Sequence, residues 1–289
     1  MDKITHHLTD KVIAPHSMRL FSTLVYAWFL INVMLVWNVK DLLWGPHNVF
    51  YRQGQADSFI ENFFYQLIYD ATRFKVIFAI HILSAFIGIS EKTWSFLPRI
   101  FAWATGWILF YAAVQAFNSG MMIMLSLAFF CSIVYAKATG VFRITLTNVA
   151  RYACIIQISL VYLVASVYKL SGAQWLAGDA MYYTLNIDQF SSSMWIDSWM
   201  LKSCFVMKSL TYFALIYQFL FPVMIWIKKG RNLYLLIGVA FHLFIGIFMH
   251  LWDFALAMIF AYALFFDDAF AKRMLQLFRR KARGMKVEN

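Results

Sequence analysis

Eight stretches of this chain are continuous and apolar, at roughly 20–37, 74–90, 101–117, 120–136, 152–169, 210–227, 232–250 and 254–267. A helix needs about 17–25 predominantly apolar residues to cross the hydrocarbon core of a bilayer. The pattern therefore predicts an all-α fold, a polytopic transmembrane helical bundle of about eight spans. Composition agrees: 62% of residues are hydrophobic and 13% charged, against about a quarter charged in soluble domains. The last stretch is short, and the seventh and eighth also fit one long broken element. The first stretch has no small-residue cleavage site and further spans follow it, so it reads as a retained helix rather than a signal peptide.

Basic residues orient the spans. With eight crossings, the segments on the N-terminal side carry 18 of the 25 Lys and Arg, and the opposite segments carry 7. Cytoplasmic loops are enriched in Lys and Arg, so both termini are expected in the cytoplasm. Seven basic residues fall between Lys272 and Lys286, directly after the last span. Such a cluster is a membrane flank attracted to anionic lipid, and the net charge of +11 needs no nucleic acid to explain it. The expected partner of the surface is the lipid bilayer. One transmembrane domain over 1–268 and a basic cytoplasmic tail over 269–289 follow.

Two of the outer segments are long. Over 38–73, Phe59, Ile60, Phe63, Phe64, Leu67 and Ile68 recur at helical spacing. They predict a helix that either lies in the outer interface or packs on the ends of the spans. Over 171–209, Trp175, Trp195, Trp199 and several tyrosines suit an aromatic belt at headgroup level. Cys131, Cys154 and Cys204 form no CxxC or Cys–His pattern, so they read as small apolar fillers, and no metal motif is present.

Ionisable groups inside spans are costly and are functional candidates by default. Lys169 stands where the fifth stretch ends. A lysine partly removed from water can serve as base or nucleophile, and the bland alternative is a snorkelling side chain whose ammonium reaches the headgroups. His81 falls in the second span, His242 near the middle of the seventh and His250 near its outer end. His242 and His250 are eight residues apart, about two helical turns, and share one face. Asp253 follows three residues after His250 and is placed to orient it. His81, Lys169, His250 and Asp253 all fall toward the outer half of the bilayer, an arrangement suited to proton transfer in an outward-opening cavity. A membrane histidine can equally be explained by a hydrogen bond to the next helix, as can Asn32, Gln115, Gln157 and Gln218. Pro222 predicts a kink in the sixth span.

Several segments carry a family resemblance: the arginine-led first span (Arg19), NSGMMIMLSLAFF, QISLVYLVASVYKLSGAQWLAGDAMYYTL, YQFLFPVMIWIKKGR and AFHLFIGIFMHLWDFALAMIFAYALFF. In that order they resemble the HTTM family, membrane proteins related to the transmembrane part of vitamin K-dependent gamma-carboxylase. The resemblance aligns Lys169 with the carboxylase lysine assigned as the base toward vitamin K hydroquinone. It continues through Trp175 and Gly178, and it places His242 in a recurring FH segment with Phe254 at the aromatic position after it. Tyr168 stands where the carboxylase has a second lysine, Gln218 where many relatives have a glutamate, and the lumenal substrate-recognition domain has no counterpart.

A chain with only the membrane core is similar to the sporulation-delaying protein B group of bacterial HTTM proteins. That resemblance implies a multi-pass inner-membrane protein supporting maturation or export of a secreted antimicrobial or toxin peptide. Its implied partners are a small co-encoded protein and the peptide precursor. The implied site has Lys169, His242, His250 and His81 as catalytic candidates, and Trp175 and Asp253 as substrate contacts. Two other functions stay open: a quinol-dependent, carboxylase-like or other small-molecule membrane enzyme with quinol as cofactor, and a non-enzymatic scaffold or immunity protein.

Overall fold

The computed structural model of the chain describes residues 3–49, 59–89, 96–135, 138–187 and 202–284, and among these every regular element is helical. The helices are α1 (Lys3–Thr9), α2 (Pro15–Val36), α3 (Lys40–Leu43), α4 (Phe59–Tyr69), α5 (Ala71–Gly88), α6 (Phe96–Ala112) and α7 (Ser119–Ser132). They continue with α8 (Val141–Leu170), α9 (Ala173–Ala177), α10 (Ala180–Leu185), α11 (Cys204–Met224), α12 (Arg231–Met249), α13 (Trp252–Ala261) and α14 (Asp268–Gly284).

Each of the eight apolar stretches lies on its own helix: α2, α5, α6, α7, α8, α11, α12 and α13. Five helical segments are long and apolar enough to cross a membrane: Pro15–Leu43, α5, α8, α11 and α12. The others are shorter because local chemistry stops them. Asn118 caps α7 by accepting from the Gly120 N–H at 2.8 Å, and α6 gives way to a 3₁₀ turn at Val114–Ala116. Trp195 and Trp199 of the expected aromatic belt, and the side chains of Ile60 and Phe64, lie outside the described residues.

The chain divides into two compact units, Met1–Cys154 with Phe266–Asn289, and Ile155–Phe265, the division falling within α8. In the first unit α2 packs against α5, α7 and α14, and α6 against α5 and α7. One end of this unit is aromatic: Trp44, Phe74, Phe78 and Leu109 form a buried cluster, with Trp44 Nε1 donating to the Leu109 carbonyl at 2.8 Å. α4 packs on this cluster through one side. Its Ile68 is buried in that cluster, while Phe59 and Phe63 stay exposed.

Buried polar side chains secure other parts of the same unit. Arg99 donates to the carbonyls of Gly88 and Val134, both at 3.0 Å. Asn148 donates to Leu8 and Lys11 and accepts from the Ile13 N–H, which ties the N-terminal segment to α8. Each bond satisfies a backbone group that would otherwise need water or another partner.

In the second unit α12 and α13 form an antiparallel pair. His250, at φ 55°, sits in the left-handed region and ends α12, and α13 starts two residues later. The seventh and eighth stretches are thus two elements. Residues 172–185 pack over α11: Gly178, at φ 84°, ends α9 in a conformation other residues resist. Tyr212 then donates to the Leu176 carbonyl, and the Met181 N–H to Thr211.

Candidate functional site

Lys169 is the last charged residue of α8, half-buried, and two side chains define its position. Its Nζ donates to Gln218 Oε1 of α11 at 2.6 Å and stands 4.9 Å from the centre of the Trp175 ring. Trp175 gets there because the chain turns at Gly172, where a Cβ would press on the indole at 3.1 Å. An indole face attracts a cation, and an amide oxygen accepts from an ammonium or an amine alike. No carboxylate is paired with Lys169 among the described residues. Pro222 lies four residues after Gln218 within α11, so the Gln218 carbonyl has no helical N–H donor there.

His242 occupies a different setting, with no measurable exposure. Its Nε2 lies 2.7 Å from the Tyr162 hydroxyl. That hydroxyl is 2.5 Å from the Tyr262 hydroxyl, which in turn is 3.0 Å from the Tyr217 hydroxyl. Tyr234 closes the group by donating to the Tyr217 backbone carbonyl. The five polar side chains come from α8, α11, α12 and the 3₁₀ turn Tyr262–Phe265. The rings of Phe241 and Phe254 flank the imidazole at 5.1 and 5.6 Å, and Phe221 stacks on Tyr162 at 3.9 Å. His242 Nδ1 is buried and, among the described residues, has no hydrogen-bond partner. Leaving such a group unpaired costs about 1–3 kcal/mol.

Glycine makes this packing possible. Gly238 and Gly246 lie four residues before and after His242 on one face of α12. A Cβ on Gly246 would come within 2.8 Å of Trp252, and one on Gly238 would strike the hydroxyls of Tyr217 and Tyr262. The G-x(3)-H-x(3)-G spacing lets α13 and the following turn approach the histidine closely. That spacing was the available signal for the tyrosine cluster, because composition alone assigns tyrosines to an interfacial belt.

The remaining candidates are distributed as follows. His81 belongs to the first unit, buried, with Nδ1 3.0 Å from Thr105 Oγ1 of the neighbouring α6; this is the helix-to-helix bond of the bland reading. His250 is exposed and lies beyond the end of α12 in the left-handed region. The two-turn relation to His242 stops there, so the two rings are not presented by one continuous helix face. Asp253 is in the first turn of α13, where a carboxylate meets the positive end of the helix dipole. Among the described residues no cluster of three or more His, Cys, Asp or Glu is assembled for a metal. Compared with models of known families, with curated proteins and with solved structures, the chain matches none.

Proposed function

We propose that this chain is a multi-pass bacterial inner-membrane protein of the HTTM type, in which Lys169 is a base serving the maturation or export of a secreted peptide. The observation that carries the reading is the neutral setting of Lys169. An amide oxygen at 2.6 Å and an indole face position Nζ, and among the described residues no carboxylate reserves its proton for an ion pair. A base must give up and regain a proton in place, and Gln218 accepts from the amine as well as from the ammonium. Trp175, stacked on the same atom, is the substrate-side wall in this reading.

Eight crossings with both termini cytoplasmic complete it. Support comes from the contact of His16, at the start of α2, with Asp268, at the start of α14, which brings the beginning of the first long helix and the basic terminal helix together.

The test compares peptides secreted by the host carrying wild type, Lys169→Ala or Lys169→Arg at matched membrane levels, by intact-mass spectrometry. The expected result is loss or altered mass of one peptide in both variants, since arginine keeps the charge but does not release its proton. An unchanged profile in Lys169→Ala overturns the proposal. A profile lost with alanine and restored with arginine makes Lys169 an anchor.

A further inference from the structure

Tyr217, Tyr262, Tyr162 and His242 form an unbranched line of hydroxyls ending on an imidazole, with successive separations of 3.0, 2.5 and 2.7 Å. Each hydroxyl has one proton to donate and can accept one. The line therefore has two complete arrangements. In one, Tyr217 donates to Tyr262, Tyr262 to Tyr162 and Tyr162 to Nε2, so the imidazole proton resides on Nδ1. In the other, Nε2 donates to Tyr162, Tyr162 to Tyr262 and Tyr262 to Tyr217, so Nδ1 bears a lone pair. All four groups are neutral in both.

The surroundings leave the line few other options. Tyr162, Tyr262 and His242 are at most 1% exposed. Phe221, Phe241 and Phe254 pack around Tyr162 and His242 and offer no acceptors. Tyr234, the fourth tyrosine, spends its hydroxyl on the Tyr217 backbone and so leaves the Tyr217 hydroxyl to Tyr262. The buried Nδ1, without a partner among the described residues, gives the line an open end. A purely structural cluster would have gained about 1–3 kcal/mol by closing it.

The geometry points to a proton relay through the interior of the second unit, running between His242 Nδ1 and the Tyr217 hydroxyl. A proton delivered to Nδ1 by a hydronium ion forms a new N–H bond while the Nε2–H bond breaks toward Tyr162. Tyr162 passes its own proton to Tyr262, Tyr262 to Tyr217, and the Tyr217 proton passes to a water molecule, which becomes the hydronium ion released at that end. One proton enters, one leaves, no electron moves, and the line is left in its other arrangement. The relay is carried by these four side chains and does not rest on Lys169 being a base.

The deciding experiment is solid-state NMR of the full chain in lipid nanodiscs, labelled with ¹⁵N-histidine. His242 is assigned by the signals lost in His242→Gln. In the wild type, both ring nitrogens of His242 are expected to sample protonated and unprotonated states, the mark of two exchanging tautomers. Tyr262→Phe cuts the line and leaves Tyr162 with Nε2 as its only partner, so the spectrum is expected to collapse to the Nδ1–H tautomer. A single fixed tautomer in the wild type overturns the relay, and so does a two-tautomer spectrum that Tyr262→Phe leaves unchanged. Should Tyr262→Phe not fold, Tyr217→Phe, which removes the far donor, is expected to shift the tautomer ratio, and an unshifted ratio counts against the relay. The spectrum needs no peptide. Two tautomers together with an unchanged peptide profile in Lys169→Ala retire the base and keep the relay, whereas one tautomer with a lost peptide does the reverse.

Discussion

A Cβ at position 238 would run into the hydroxyl oxygens of Tyr217 and Tyr262, two of the three phenols that lead to His242. Alanine is otherwise the better helix former by about 1 kcal/mol, so propensity alone would make Gly238→Ala stabilising. Overpacking opposes it, typically by about 1–3 kcal/mol, because the obstructing atoms are the ends of rigid rings. The expected outcome is net destabilisation, read as a lowered thermal unfolding midpoint in detergent. A raised midpoint would mean that the phenols stand clear of α12. The same logic separates the histidines: His81 has its hydroxyl partner on the next helix, while His242 has a nitrogen without a partner among the described residues.

At the scale of the element, α2 shows how a helix end is satisfied from far along the chain. Its N-cap, Ala14, is in the left-handed region and supplies no side-chain acceptor. Asp268, the first residue of α14, takes that role by accepting from the backbone N–H groups of His16 and Ser17 at 2.6 and 3.0 Å, and it meets the His16 ring at 2.7 Å. Burial works to raise the Asp268 pKa, but the donors from His16 and Ser17 outweigh it and hold the carboxyl below its ordinary value. A depressed folded value means that the contribution is complete above about pH 4, the unfolded value, and is lost as pH falls through the folded one. Asparagine keeps an acceptor for the cap and removes the charge, whose Coulombic share the partial exposure of this pair reduces. Asp268→Asn should therefore lower the unfolding midpoint at neutral pH. The gap to wild type should close in the most acidic buffer in which the wild type stays folded; a gap that persists there would assign the effect to packing.

For the whole molecule, the testable quantity is the number of crossings. Five helical segments meet the length and hydropathy of a span; α6, α7 and α13 are shorter, and the proposed topology has them cross as well. Alkaline-phosphatase and green-fluorescent-protein fusions check this at successive positions. After residue 289 the fluorescent fusion is expected to be active and the phosphatase silent. The reverse is expected after residues 118 and 172. Phosphatase activity after residue 289 would mean an odd number of crossings from a cytoplasmic N-terminus, and would remove α14 from the cytoplasmic side.

Hydrophobic length and helical period are local properties. For that reason the eight helices could be placed from residue order, and Lys169 and His242 could be singled out as ionisable groups in apolar surroundings. The break between α12 and α13 was legible only as an ambiguity, because nothing in FMHLWDF dictates that His250 adopt a left-handed backbone; packing of Trp252 on Gly246 accompanies it. The partners of each group belong to tertiary structure. Gln218 is 49 residues from Lys169, Tyr162 is 80 from His242 and Asp268 is 252 from His16. No periodicity connects such positions, since a hydrogen bond needs atoms about 3 Å apart and only the packing of helices sets that distance. Residue order specified which side chains had to leave water and on which helices; the packing of those helices chose the polar group each would meet there.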